Sequence, residues 1–232
     1  MSNVLSGYLN KRVTEDNSFK RDKATIAGPV ITISREVGCE GLKLAKSISN
    51  RLKNKKFPNE WRVLSKEIFK QSAEELNMQQ EHVRRVFKQP DRYMFDEIIK
   101  AFNNKSFKSE RKIVKTVIDV VQSFAIDGYS ILVGRAGHII TKDIKNALHV
   151  RLTAPLEYRI KTIQVNDNLN REEAIRFISK VEKERIAFRK AIKEENLHVE
   201  LFDLTVNRAS FTDENIIDLI ELAMEKKGIL QD

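Results

Sequence analysis

The residues best suited to chemistry fall in one stretch, Pro29 to Leu52, which reads PVITISREVGCEGLKLAKSISNRL. A β-branched run, Val30 to Ile33, leads into a turn with glycines at Gly38 and Gly41. Beyond it, Leu44, Ile48 and Leu52 recur every fourth residue with Ala45 beside them, which predicts an amphipathic helix. Strand, glycine turn and helix in that order suit an anion. The turn and the helix N-terminus aim backbone N–H groups at one point, and a bare glycine backbone lets a phosphate come close. The Walker pattern G-x-x-x-x-G-K-[ST] is not met. If Gly41 is its last glycine, Glu36 stands at the first, Leu42 at the lysine and Lys43 at the hydroxyl. A phosphate cradle and an ordinary strand-to-helix turn both remain open at this point.

Cys39 lies inside the turn and is the only cysteine. A thiol at a helix N-terminus can be acidic and reactive. The plainer reading is a small side chain that fills space. His82, His138, His149 and His198 are dispersed without metal-ligand spacing, and no Ser–His–Asp order suggests a hydrolase.

The elements that must hold this turn alternate along the chain. WRVL (Trp61 to Leu64) predicts a second strand. Helices are expected at Lys66–Leu76, Gln79–Lys88, Arg92–Phe102 and Ser109–Ile126, the last with an apolar stripe of Ile113, Val117, Val120, Val121 and Phe124. SILV (Ser130 to Val133) reads as a strand buried on both faces, and GRAGH (Gly134 to His138) follows it at once. ALHVRLT (Ala147 to Thr153) and FDLTVN (Phe202 to Asn207) are the fourth and fifth strands. Pro155 opens a helix, Arg171 to Glu195 is a long charged helix or helix pair, and Thr212 caps the last helix. This alternation predicts an α/β fold with a parallel five-stranded sheet and helices on both faces. Ligands in such folds sit at the carboxyl ends of the strands, where both glycine turns emerge.

The chain has 232 residues, 41% of them hydrophobic, with a formal net charge of +9. That allows one good-sized domain, or one domain with an insertion, and enough apolar material for a core. The lone cysteine excludes an internal disulfide and, without a signal-peptide core or a long apolar run, leads to the expectation of a cytoplasmic protein away from membranes. The basic excess is spread out, and the phenylalanines fall on apolar faces rather than between exposed cations. Both features weigh against a nucleic-acid partner. Residues 1–28 read as a polar, charged arm.

Several segments in order resemble the cytidylate kinase-like family of P-loop proteins. ITISREVGCEGLKLA (Ile31 to Ala45) is similar to that family's opening, ITISREFGSGGREIA. ILVGRAGHII resembles its "V-GR" strand end, HVRLTAPLEYRIKTI its "AP-E-R" segment, and FDLTVN its "YDL-x-x-N" strand. Glu182, Lys183, Glu184 and Arg185 match a "D-K-x-R" helix segment. The resemblance runs from about Val30 to Glu225, with a vague middle from Arg62 to Asp127.

The resemblance implies a P-loop NTPase-like domain over 29–232, with a helical insertion at about 66–127 and a lid at about 159–196. It also implies transfer of the ATP γ-phosphoryl group to CMP or a related monophosphate, with ATP and Mg²⁺ as cofactors and nucleotides as partners. Oligomeric state stays open. Gly38, Cys39, Glu40, Gly41, Leu42 and Lys43 would wrap the donor phosphates. Arg35, Lys43 and Arg159 would carry catalysis, and Arg135 would grip the acceptor's phosphate through its planar fork. Glu182 and Arg185 would read cytosine, an acid for its amine and a guanidinium for its carbonyl. Arg151, Asp203 and Asn207 are lesser candidates. Asp203 could instead pin a loop, and Asn207 could cap a strand end.

The departures carry information too. Glu40 replaces a small residue, Leu42 replaces an arginine, Thr162 stands where a second lid arginine is common, Glu182 replaces an aspartate, and Ala136 replaces the aspartate of "GRD". Cations that would meet transition-state charge are therefore missing or displaced. Besides a working monophosphate kinase, the sequence therefore allows a catalytically weak nucleotide-binding relative that acts as a sensor or partner protein. A basic nucleic-acid-binding protein ranks third.

Overall fold

Five β-branched or apolar runs form one parallel sheet, whose inner strands are the most fully buried and whose edge strands, Arg62–Leu64 and Leu204–Asn207, are partly exposed. The structure is a computed structural model that describes residues 27–53, 55, 57–65, 110–134, 136–192 and 201–230, the side chains of 110–114 and 191 excepted. The expected helices at Lys66–Leu76, Gln79–Lys88 and Arg92–Phe102, the arm up to residue 26, and Arg135 lie outside the described residues.

In chain order the elements are β1 (Val30–Arg35), α1 (Gly41–Lys53), β2 (Arg62–Leu64), α2 (Glu110–Asp127), β3 (Ser130–Val133), α3 (Gly137–Ile140), β4 (Ala147–Thr153), α4 (Leu156–Asp167), α5 (Arg171–Ile192), β5 (Leu204–Asn207) and α6 (Asp213–Lys226). The strand order is β2-β3-β1-β4-β5. β1 is central and pairs with β3 through Ile31↔Ile131 and with β4 through Ile31↔Leu148.

Alternation along the strands separates two cores. Ile31, Ile33, Ile131, Val133, Leu148, Val150 and Leu152 face α1 and α6, where Leu44, Ile48, Leu52, Ile216, Ile217 and Ile220 meet them. Val30, Leu132 and Ala147 face the other way, onto Val117, Val120 and Val121 of α2 and Phe188 of α5. The α2 stripe is thus core, as its spacing predicts. A third cluster lies away from the sheet, where Ile160 and Ile163 of α4 pack on Ala174, Ile178 and Val181 of α5.

The ends of the elements follow local chemistry. Thr212 accepts from the Asn215 N–H and Asn215 accepts from the Thr212 N–H, a reciprocal cap for α6. Asn170 and Glu173 exchange the same pair of bonds ahead of α5. Pro155 is the cap of α4 rather than its first helical residue. The Arg171–Glu195 segment is one helix to Ile192, and the rest of it lies outside the described residues. The short α3 was not expected. It begins after Ala136, whose φ of 53° turns the chain left-handed.

Leu148 is fully buried in β4 beside the central strand. Leu148→Ala should lower the unfolding free energy by about 2–5 kcal/mol through lost burial and a residual cavity. Urea denaturation should show a lower midpoint at an unchanged m-value. A loss below about 1 kcal/mol would mean that the sheet does not pack as described.

Candidate functional site

β1 ends at Arg35, and the chain turns through Glu36 to Glu40 before α1 begins. A turn with no ladder of its own must find partners for its peptide groups elsewhere. The Glu36 N–H donates to the Leu152 carbonyl at 3.0 Å, and the Cys39 N–H to the Glu36 carbonyl at 3.2 Å. The Val37 N–H donates to Glu182 Oε1 at 2.6 Å. Arg185 Nη1 donates to the Arg35 carbonyl at 2.9 Å, and Arg208 Nε to the Cys39 carbonyl at 3.3 Å. The Leu44 N–H takes the Glu40 carbonyl at 3.1 Å and so closes the first helical turn.

The N–H groups of Gly41, Leu42 and Lys43 are left over, because first-turn donors have no carbonyl four residues back. Glu40 has a left-handed φ of 48° and is followed by the right-handed α1. A left-handed residue next to a right-handed one curves successive N–H groups into a concave nest that suits an anion. The N–H of Glu40 shares a planar peptide with the Cys39 carbonyl, so it points away from Arg208.

Close packing accounts for the glycines. At Gly38 (φ 91°) a Cβ would lie 2.8 Å from the carbonyl oxygen of Arg159, so α4 abuts the turn directly. At Gly134 (φ 77°) a Cβ would collide with Arg35 Nη1, and at Gly41 it would lie 3.1 Å from Arg35 Cγ. The Arg35 side chain therefore spans from the start of α1 to the turn after β3. Val37 inserts its side chain into the α4–α5 cluster and ties those helices to the turn.

Charge at this junction is interleaved. Arg159 is largely buried. Its Nε donates to the Ala154 carbonyl at 3.1 Å and lies 3.5 Å from Glu36 Oε2. Arg159 Nη1 lies 3.8 Å from Glu182 Oε1 and is buried without a hydrogen-bond acceptor. Glu36 Oε2 also accepts from the Ala154 N–H at 3.0 Å. Burial lowers the Arg185 pKa, and neighbouring Glu182 opposes the shift.

The expected site residues divide into groups. Arg35, Gly38, Gly41, Arg159, Glu182 and Arg185 converge on the turn. Glu182 and Arg185 meet its backbone, so reading a base with them would require those bonds to open. Glu40 turns its carboxylate to Asn166 of α4, which donates at 3.1 Å, and Lys43 Nζ stands 4.0 Å from it. Lys43 is 64% exposed, and Leu42 leans on the core beneath α1. The lesser candidates resolve toward structure. Asp203 accepts from the His149 N–H and from Lys227, both at 2.7 Å, and ties the starts of β4 and β5. Asn207 accepts from the Ala209 N–H at 3.0 Å as a strand-end cap, and Arg151 stacks 5.4 Å over Phe202. Sequence reasoning missed Arg208 and Asn166. The one signal for Arg208 is its place just past a strand's carboxyl end.

The donor set does not suit a protein-held Mg²⁺. Glu36, Glu40 and Glu182 are each engaged by protein donors, and Lys43 stands where Walker loops carry a hydroxyl. Among the described residues no group of three potential ligands forms, and no helix is long and apolar enough to cross a membrane.

Residues 30–210 match the profile described as the cytidylate kinase-like family. The chain belongs to the cytidylate kinase-like family. A cytidylate kinase of Ignicoccus hospitalis is 39% identical over 75 residues, which are 32% of this chain and 44% of that protein. A uronate isomerase of Corynebacterium glutamicum is 26% identical over 122 residues, 49% of this chain and 21% of that protein. The chain thus spans less than half the length of either curated relative. An uncharacterised protein of Eubacterium ventriosum shares the fold, with a TM-score of 0.61 at 15% identity over 85% of this chain and 98% of its own. Membership supports a nucleotide kinase-like function and nucleotide binding.

Within this family member, Cys39 is fully buried. Burial first, and then Glu36, push its thiol up to about 11 from 9.0. The space-filling reading of Cys39 therefore holds. A thiol-specific chromogenic reagent at pH 8 should leave Cys39 unmodified in the folded protein and modify it promptly in urea. Rapid native labelling would contradict its burial. The folded state keeps this proton while the unfolded state loses it, so the Cys39 contribution should make stability fall as pH rises from about 9 to about 11.

Proposed function

We propose that the protein is a slow nucleoside monophosphate kinase that transfers the ATP γ-phosphoryl group to CMP or a related monophosphate. The observation that carries this reading is the nest of backbone N–H groups from Glu40 to Lys43, at the carboxyl end of the central strand of a cytidylate kinase-like chain. Gly38, Cys39, Glu40, Gly41, Leu42 and Lys43 would surround the donor phosphates, and any Mg²⁺ would arrive with the triphosphate. An oxygen of the acceptor phosphate would attack the γ-phosphorus, and its bond to the bridging oxygen would break to release ADP. Arg35 and Arg159 would supply guanidinium groups beside the turn, where Arg185 and Arg208 already spend theirs on its backbone. Arg135 follows Gly134, against which Arg35 packs, and its proposed work is to hold the acceptor's phosphate. Glu182 and Arg185 would meet the base once released from the turn.

Slow turnover follows from which side chains lack a cation. Leu42 leans on the core, and Lys43 faces solvent. One well-aimed donor is typically worth on the order of 100- to 1000-fold in rate. The same two residues support a second reading, a nucleotide-binding sensor without useful transfer.

ADP production from ATP and Mg²⁺ should be measured with CMP, UMP, dCMP, AMP and GMP in turn. A pyrimidine monophosphate should support turnover below about 10 s⁻¹, the median for enzymes. A Glu40→Gly, Leu42→Arg double variant suits the left-handed turn and adds a long cation near the nest. It should turn over about tenfold faster or more. ATP binding without ADP from any acceptor would favour the sensor. Absence of ATP binding would overturn both readings.

A further inference from the structure

Arg208 directly follows β5 and is only 4% exposed. Its backbone N–H donates to the Thr153 carbonyl at 2.7 Å and extends the pairing of β4 with β5. Its Nη2 pairs with Asp213 in the first turn of α6, and its Nε reaches the Cys39 carbonyl. A buried guanidinium is tolerated when it is paired and hydrogen-bonded. Asp213 balances the charge, and the remaining bond is spent on the glycine turn.

Two features make that bond consequential. Glu40 occupies a left-handed conformation that an L-residue with a side chain disfavours, so something outside the turn must hold it there. In addition, the Cys39 carbonyl and the Glu40 N–H are opposite ends of one rigid peptide plane. Drawing the carbonyl toward the interior drives the N–H outward.

We propose that Arg208 is a positioning residue that presets the anion nest, fixing the Glu40 N–H outward and the Glu40 backbone left-handed before any phosphate arrives. This rests on the nest being the donor-phosphate site. Arg208 touches no substrate in this role and acts only through the Cys39–Glu40 peptide.

The test uses the full chain and two variants. Arg208→Lys keeps a charge for Asp213 and the folded state but loses the planar fork that serves Asp213 and Cys39 together. Arg208→Met removes both contacts. Arg51→Gln is the control, because it cuts ion pairs between α1 and α6 without touching Arg208 or the turn's hydrogen bonds. Backbone amide NMR should show the Glu40 and Gly41 signals moved in both Arg208 variants and unmoved in the control. Calorimetry with ATP should show affinity lowered roughly tenfold in Arg208→Lys, about the worth of one well-placed hydrogen bond, and unchanged in the control. Unmoved Glu40 and Gly41 amides in a folded variant overturn the proposal, whatever the affinity does. Moved amides with wild-type ATP affinity overturn it as well. A wild-type protein that binds no ATP would sink the functional reading instead, and the amide signals alone would then decide the role of Arg208.

Discussion

The structure depends on one constraint, which is that the turn from Glu36 to Glu40 must have its peptide groups satisfied without a ladder of its own. The partners come from three parts of the chain. β4 supplies the Leu152 carbonyl, α5 supplies Glu182 and Arg185, and the segment between β5 and α6 supplies Arg208. The assembly of those elements on the sheet is therefore also the assembly of the turn. What they leave unsatisfied includes the N–H groups at the start of α1, where the proposed nest lies. A P-loop with more glycines can reach such a curve through its own backbone freedom. Here Glu40 takes the left-handed position, and tertiary contacts do what a glycine would otherwise do.

Local physics made most of the architecture legible. Ser130–Val133 and Ala147–Thr153 have the same limits in sequence and structure, the first as a run buried on both faces and the second by alternation of Leu148, Val150 and Leu152 with His149, Arg151 and Thr153. The Thr212 cap was readable from residue types three apart. The FDLTVN strand begins two residues late, at Leu204, because Asp203 spends its side chain on the His149 N–H. Partners of the turn were not legible in the same way. Glu182 bonds across 145 residues, Arg185 across 150 and Arg208 across 169, and no local pattern encodes such a pairing. The spacing of Glu182 and Arg185 marked them as a pair on one helix face. It said nothing about whether that face meets a base or a backbone. Glu40 shows the same limit. Its charge beside a phosphate loop reads as repulsion, but its carboxylate lies against Asn166.

The α4–α5 unit is bound to the turn by two kinds of force with different sensitivities. Val37 sits in that unit's apolar cluster, and Gly38 lets the backbone of Arg159 come close. These contacts are short-ranged and insensitive to salt. The Glu182 bond to Val37 and the Arg159 contacts with Glu36 and Glu182 are electrostatic and partly buried, so screening weakens them little. Separating the helices from the turn would break both sets together, and the apolar part would then expose Val37 and Ile160 to water. The unit is thus held to the turn by both sets of contacts, and α5 is held to the sheet as well by Phe188.

Charge balance then sets the terms on which an anion can enter. Around the turn, Arg35, Arg159, Arg185 and Arg208 stand against Glu36, Glu182 and Asp213. Most of the positive charge is already answered by carboxylates within the fold. A phosphate drawn to the nest would find backbone N–H groups ready but would have to compete with Glu36 and Glu182 for Arg159. Arg159 Nη1, buried and without an acceptor, is the donor least committed to that existing balance. A negative group that reached it would meet an unanswered donor. Doing so would shift Arg159 from Glu182 and loosen that residue's hold on the Val37 N–H, the bond that joins turn and helices. A phosphate at the proposed nest that drew on Arg159 would thus also bear on the Glu182 bond that joins α5 to the turn.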